Sequence, residues 1–153
     1  MIFSIKGRHK NSAAVEEYVQ NLCRELKISH LKKAEFSIRF VTKCDTGALG
    51  LCWDDTEEIE VEISRTYEGE PLTFFEQMQT IAHEMVHVKQ FARGELYEST
   101  RLGKHRWNGK WLKKNPDYWD QPWEIEAHGR EIGLFIRWAE KEGYSKLKWV
   151  KDA

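Results

Sequence analysis

Hydrophobic residues recur at helical spacing in three stretches of the chain, which predict three helices. The first follows Ser12, a favourable N-cap residue, and covers 13–27. The second begins after Thr73 and ends near Gly94, a residue that commonly terminates helices. The third covers about 122–141 and has proline at its first position. The second helix is apolar around much of its circumference, which predicts that it lies at the centre of the domain.

Between the first two helices, hydrophobic and polar residues alternate, as is typical of half-buried strands. This pattern predicts strands over 34–43, 51–53 and 59–63, with the glutamates at 58, 60 and 62 on a solvated outer face. Because short turns separate the three strands, we expect them to form an antiparallel meander.

After the second helix, 104–112 is predicted to form a hairpin that turns at Asn108-Gly109, the strongest short hairpin signal. The preceding segment, 95–103, is expected to be irregular, and 146–150 is expected to add a short final strand. The sequence therefore predicts one α+β domain over 1–153, in which a short antiparallel sheet packs on the central helix and the helix that follows.

Composition limits the classes of function. With 41% hydrophobic and 32% charged residues, the 153-residue chain is typical of a soluble globular domain. A net charge of -1 gives no overall field toward nucleic acid or membranes. We expect a cytoplasmic protein with no membrane contact, because no apolar run is long enough to span a bilayer and the first residues lack a signal-peptide core. The cysteines at 23, 44 and 52 are expected to be reduced thiols.

The central helix contains the pattern His83-Glu84-x-x-His87. Residues four positions apart lie on one face of a helix, so both imidazoles can bind one metal ion. Glu84 lies about 100° around the helix axis from His83. It can accept a proton from a water on the metal without being a ligand. This pattern predicts a site for one zinc ion with Glu84 as general base.

A catalytic zinc site needs a third protein ligand. The longer motif with a third histidine is absent, because Gln90 and Arg93 occupy its glycine and histidine positions. On the last helix, Glu126 shares a face with Gly129 and Gly133. Glycines within a helix cost about 1 kcal/mol each relative to alanine. Close approach to the central helix would explain them, which makes Glu126 the preferred third ligand.

Other residues remain candidates for this role. His105, in the predicted hairpin, is the main alternative ligand. Glu124, His128 and Glu131 share a different helix face, roughly 160–200° from Glu126. That face is expected to be solvated or to support the ligands through hydrogen bonds.

These residues resemble a known class of proteins. The segments His83–Gln90 and Trp119–Ala127 are similar to the small metallopeptidase-like proteins of bacteriophages and bacteria, including the SprT-like and ImmA-type zincins. The resemblance implies a minimal zincin fold and a third ligand from a glutamate on the helix after the motif, matching Glu126-Ala127. Two departures are present. His128 stands where ImmA-type sequences often have asparagine, and SprT-like proteins use a later histidine, which keeps His105 open.

The predicted function is zinc-dependent hydrolysis of a polypeptide substrate. Zinc would be held by His83, His87 and Glu126, and a tyrosine or histidine would assist at the substrate carbonyl. Candidates for that role are Tyr97, His105 and Tyr118.

The alternative is a non-catalytic or nucleic-acid-associated zinc-binding protein. It could act on DNA-bound proteins, as SprT-like proteins do, or sequester a partner. Six lysines and arginines surround Trp107 and Trp111 within 101–114, a composition typical of single-strand binding.

Overall fold

The computed structural model describes residues 1–55 and 57–144 and has an α+β fold. The helices are α1 (Ser12–Glu25), α2 (Phe74–Ala92) and α3 (Pro122–Lys141). The larger sheet contains β1 (Ile2–Lys6), β2 (Glu35–Val41), β3 (Gly50–Asp54) and β4 (Ile59–Ser64). The predicted final strand over 146–150 lies outside the described residues. No helix in the described ranges combines the length and the apolar character that crossing a membrane requires.

The larger sheet has the strand order β1-β2-β4-β3. β1 and β4 both run parallel to β2, and β3 runs antiparallel to β4. The predicted meander is therefore wrong. Beyond β2, the chain passes through a 3₁₀ turn at Asp45–Gly47 to reach the far edge of the sheet. β4 then returns between β2 and β3. β2 and β3 are therefore consecutive in the chain but are not neighbours in the sheet. β1 is not among the predicted strands.

Two smaller sheets complete the strands. β5 (Thr66–Tyr67) pairs with β6 (Glu70–Pro71) before α2. β7 (Leu96–Ser99), β8 (Lys104–Trp107) and β9 (Lys110–Trp111) form an antiparallel sheet after it. The predicted hairpin at Asn108-Gly109 is confirmed, with φ values of 48° and 82° at the two turn residues. The expectation of an irregular 95–103 is wrong, because β7 pairs with β8 there.

α2 is the central helix, as its hydrophobic pattern predicts. Thr73 and Glu76 form the reciprocal capping box at its N-terminus, and Gly94 follows its end with φ of 67°. Its apolar residues join the core shared with the sheet and the other two helices. On one side α2 packs on β3 and β4, and on another it packs on α3. The metal-binding pattern therefore lies between a sheet edge and a second helix.

α3 packs through a stripe of apolar residues, and its glycines lie elsewhere. The buried residues of the helix are Trp123, Ala127, Leu134, Phe135, Trp138 and Ala139. Gly129 and Gly133 are exposed, and a Cβ atom at either would meet nothing within 4 Å among the described residues. The expectation that these glycines mark a close helix contact is wrong.

Candidate functional site

Two histidines of α2 and one glutamate of α3 converge on one point. The Nε2 atoms of His83 and His87 are 3.3 Å apart. Glu124 reaches both rings, with Oε2 at 3.1 Å from the His83 nitrogen and Oε1 at 3.3 Å from the His87 nitrogen. The convergence of the two imidazoles agrees with the one-turn spacing of the motif. The third group is Glu124.

The remaining nitrogen of each imidazole is hydrogen-bonded away from this point. His83 Nδ1 lies 2.6 Å from Oε2 of Glu131, and His87 Nδ1 lies 2.8 Å from Oε1 of Gln90. A carboxylate and an amide oxygen can only accept, so both Nδ1 atoms act as donors. In a neutral ring the other nitrogen then carries a lone pair. Both lone pairs face the carboxylate of Glu124.

The pKa values indicate that this arrangement favours a positive charge. Burial by itself lowers the pKa of His83, but its hydrogen bonds with Glu124 and Glu131 raise it to about 10. Burial likewise opposes the charged form of His87, and its contact with Glu124 raises the pKa overall. Burial raises the pKa of Glu124, but the hydrogen bonds from both histidines hold it far below the usual range. A proton or a metal cation must therefore lie among these atoms.

The donor atoms present can hold a metal ion. One suitable group comprises His83, Glu124 and His128, whose ligand atoms all lie within 4.8 Å of one another. A second possible set is His83, His87 and Glu124, in which the two Nε2 atoms are 3.3 Å apart and each contacts a different oxygen of Glu124 at 3.1–3.3 Å. His83 and Glu124 belong to both groups. The described residues therefore include a group that could hold a metal ion, and the motif histidine His83 belongs to it.

Glu84 is buried beside this centre and faces β3. Burial raises its pKa, and the nearby His87 and His83 reduce that rise. The strand makes room for its side chain through Gly50, where a Cβ atom would lie 2.7 Å from Oε1 of Glu84 and 2.7 Å from Cγ2 of Thr80. A glycine within a strand is typical of such a close approach.

A cleft of about 840 Å³ opens beside His83, one of the ligand candidates. One wall is the strand edge at Gly50 and Leu51, and the opposite wall includes Tyr118 and Trp119. Glu84 lies at its base with His83 and His128. The cleft can therefore bring a molecule of substrate size to His83, His128 and the candidate base Glu84.

Tyr118 and His128 lie at the mouth of the centre. The Tyr118 hydroxyl donates to Oε2 of Glu124 at 3.0 Å and lies 2.9 Å from Nε2 of His128. Burial and the charge of Glu124 raise the pKa of Tyr118, so its hydroxyl keeps its proton. The ring of His128 lies 4.5 Å from that of His83, measured between centroids. Both side chains are therefore polar groups within reach of a bound molecule.

The structure places Glu126 away from the histidines, which corrects the choice of this residue as third ligand. One oxygen of Glu126 accepts from the ammonium of Lys89, and the other lies 3.4 Å from the amide nitrogen of Gln90. Burial raises its pKa, but the hydrogen bond from Lys89 lowers it overall. Glu124 is two positions earlier, about 200° around the helix, and contacts both motif histidines instead.

The two alternative residues in the small sheet are also distant from the centre. His105 stacks on Trp123 with centroids 4.8 Å apart, and its Nδ1 lies 2.9 Å from Oδ1 of Asn115. Tyr97 packs edge to face against Trp111. Both side chains have packing roles here, and the structure does not bring either one to His83 and His87.

Sequence reasoning had identified Glu124, His128 and Glu131 as one helix face but gave them a solvated or supporting role. The sequence signal for this face is its spacing: Glu124 and His128 are four residues apart, and His128 and Glu131 are three apart. Residues at these spacings lie on one face of a helix, as the two motif histidines do. Gln90 gave no comparable signal. Comparisons with protein-family models, with curated proteins and with solved structures gave no match.

Proposed function

We propose that the protein is a zinc metallopeptidase in which His83, His87 and Glu124 hold the ion. The observation that carries this proposal is the convergence of three side chains: the two Nε2 atoms are 3.3 Å apart, and each lies 3.1–3.3 Å from one of the two Glu124 carboxylate oxygens. Tetrahedral zinc with bonds of 2.0–2.1 Å separates its ligand atoms by about 3.3 Å. Two imidazoles and one carboxylate are also a donor set that catalytic zinc uses in hydrolases. Three such groups repel one another unless a proton or a metal cation lies between them.

Zinc bound here supplies a Lewis acid that polarises a carbonyl and lowers the pKa of a water to about 7. Glu84 accepts a proton from the attacking water and returns it to the amine nitrogen when the peptide bond breaks. Its burial supports this role, because a carboxylate with a raised pKa exchanges protons more readily near neutral pH. Gly50 allows the side chain to occupy the floor of the cleft.

The Tyr118 hydroxyl is the best-placed donor to the substrate carbonyl oxygen as negative charge develops there. It lies 3.0 Å from Glu124 and keeps its proton, as described above. Nε2 of His128 lies 2.9 Å from the same hydroxyl and can restrain its rotation. Donors aimed at developing charge are a large component of hydrolytic catalysis. Of the three residues that the sequence offers as donors to the substrate carbonyl, we therefore select Tyr118 rather than Tyr97 or His105.

A polypeptide substrate fits the cleft because one wall is a strand edge. In the described part of the chain, β3 ends the larger sheet and pairs with β4 alone. Its free edge can form backbone hydrogen bonds with an extended peptide. Because Gly50 and Leu51 belong to this strand and line the cleft, a peptide paired there lies beside Glu84 and the zinc ligands.

The test combines metal analysis with hydrolysis of a library of internally quenched peptides. The wild-type protein should bind one zinc ion and cleave members of the library, and Glu84→Gln should bind zinc equally well without cleaving. Glu62→Gln is the matched control, because Glu62 lies on β4 in the outer row of glutamates. A wild-type protein that binds no zinc, or a Glu84→Gln variant that cleaves as fast as the wild type, contradicts the proposal.

A second candidate function is contact with single-stranded nucleic acid through the sheet of β7, β8 and β9. Tyr97, Arg106 and Trp111 are in register across the three strands and therefore share one face. The guanidinium of Arg106 lies 5.0 Å from the ring centre of Tyr97 and 5.7 Å from that of Trp111. Both rings are more than two-fifths exposed. Bases can stack on such rings while nearby cations contact phosphates.

Binding of a labelled oligothymidine at several salt concentrations tests this second function. Trp111→Ala should weaken binding, and the affinity should fall steeply as salt rises. Trp53→Ala is the control, because Trp53 lies on β3, outside this sheet. Equal binding by the wild type and Trp111→Ala would exclude this face as the binding surface.

A further inference from the structure

The structure assigns to Gln90 a positioning role: one buried amide sets the orientation of His87 and the position of the helix that carries Glu124. Gln90 is fully buried on α2, one turn after His87. It is not a ligand candidate, and its side chain points away from the cleft to α3. This inference rests on the proposed zinc centre and extends it to a residue outside that centre.

The hydrogen bonds of Gln90 determine which way its amide faces. The Nε2 atom donates to the backbone oxygen of Trp123 at 3.0 Å and lies 3.4 Å from Oε2 of Glu126. Both partners are acceptors, so the nitrogen must face α3. The oxygen then faces His87, whose Nδ1 lies 2.8 Å away. His87 must therefore carry its proton on Nδ1, which leaves Nε2 free to bind a metal.

The same amide positions the third ligand. Its acceptor on α3 is the backbone oxygen of Trp123, the residue directly before Glu124. Glu126 is held a second time by the ammonium of Lys89, the neighbour of Gln90 on α2. These contacts fix the first turn of α3 against the last turns of α2. One amide thus joins the element that carries His87 to the element that carries Glu124.

The comparison with His83 shows what Gln90 adds. His83 is held by Glu131, whose negative charge favours a protonated imidazole as well as an oriented one. Gln90 is neutral, so it orients His87 without adding charge. Hydrogen bonds that orient metal-bound histidines typically contribute 10–100-fold to metal affinity. We expect an effect of this size when the amide is removed.

The test measures zinc affinity by competition with a chromophoric chelator, together with the visible absorption spectrum of the cobalt-substituted protein. Gln90→Leu removes the acceptor and should weaken zinc binding 10–100-fold and alter the cobalt spectrum. Gln77→Leu is the matched control. Gln77 is also buried on α2 and lies 2.9 Å from a histidine ring nitrogen, that of His9, far from the zinc centre. It should keep wild-type zinc affinity and the wild-type spectrum.

Gln90→Glu separates positioning from folding, because it retains an acceptor for His87 while losing the donor to α3. It should bind zinc more tightly than Gln90→Leu. If Gln90→Leu does not fold, a folded Gln90→Glu variant with wild-type zinc affinity and the wild-type cobalt spectrum overturns the inference, because this variant lacks the donor to α3. Wild-type affinity in folded Gln90→Leu also overturns it. Failure of the wild type to bind zinc would instead overturn the proposed function, so the two failures are distinguishable.

Discussion

The assignment of the third ligand makes a prediction that separates two glutamates only two residues apart. Glu124→Gln and Glu126→Gln each replace a carboxylate by an uncharged amide of similar shape. Glu124 contacts both motif histidines, and Glu126 contacts Lys89 and Gln90. We expect the first substitution to abolish the response of the protein to zinc and the second to reduce it.

The magnitude follows from ligand number. Binding free energies of about 10–16 kcal/mol for four-ligand zinc sites correspond to about 3–4 kcal/mol per ligand, or a 10²–10³-fold change in Kd. At a free zinc concentration 100 times the wild-type Kd, binding stabilises the wild type by about 2.7 kcal/mol. Glu124→Gln should retain about 0.4 kcal/mol or less under the same condition. A tenfold loss of affinity in Glu126→Gln would leave about 1.4 kcal/mol.

These differences are measurable by calorimetry. For a domain of this size, 1 kcal/mol corresponds to a shift in Tm of about 2–4 °C. Zinc should raise the Tm of the wild type by about 5–11 °C and that of Glu126→Gln by about 3–6 °C, with a shift below about 2 °C for Glu124→Gln. Each shift is measured against the same variant with chelator, which removes the effect of the substitution on the zinc-free protein. A full shift in Glu124→Gln with none in Glu126→Gln refutes the assignment.

Three further outcomes are expected. In the zinc-free protein, burial opposes the charged form of His83. The carboxylates of Glu124 and Glu131 favour that form and raise the pKa of His83 to about 10. A raised pKa stabilises the folded state fully below the ordinary value of 6.5, so the urea midpoint should fall as the pH rises from 6.5 through 10, and less steeply in Glu131→Gln. Gly50→Ala should cost about 1–3 kcal/mol in urea unfolding and reduce peptide hydrolysis, because its Cβ atom would lie 2.7 Å from Glu84 Oε1. The control Gly129→Ala, in open space on α3, should stabilise the protein by about 0.5–1 kcal/mol. Tyr118→Phe should lower kcat about 10²–10³-fold while zinc binding measured by chelator competition persists, and an unchanged kcat would exclude the hydroxyl as the carbonyl donor.

Local patterns predicted the helices and the motif well, because their signals lie within a few residues. The capping box of Thr73 and Glu76, the end of α2 near Gly94 and the turn at Asn108-Gly109 all depend on neighbours in sequence. The order of strands in the larger sheet does not depend on neighbours in sequence. Whether β4 lies beside β2 or beyond β3 depends on packing against α2, and the alternation of residues within each strand is the same in both arrangements.

The sequence predicts that Glu126 faces the motif histidines, but it contacts Lys89 and Gln90. This difference has a physical cause that is visible in the sequence. The rotation of a packed helix is set by its apolar stripe, since burying large side chains contributes about 1.5–3 kcal/mol each. Exposed glycines cost less, about 1 kcal/mol. The buried residues of α3 extend over an arc of about 160° from Trp123 and are Trp123, Ala127, Leu134, Phe135, Trp138 and Ala139. Glu124 is about 100° from Trp123, within that arc, and Glu126 is about 300° from Trp123, outside it.

The position of Glu124 within this arc explains why it is suited to bind a metal. A carboxylate on the opposite face of α3 could not reach α2. In the first turn of α3, its backbone is next to the packed Trp123 while its oxygens face His83 and His87. His128 and Glu131 follow on the same face, one and two turns later. For a helix that completes a metal site, the buried arc therefore predicts the ligand better than the glycines do, because the ligand must lie on the face that packs on the motif helix.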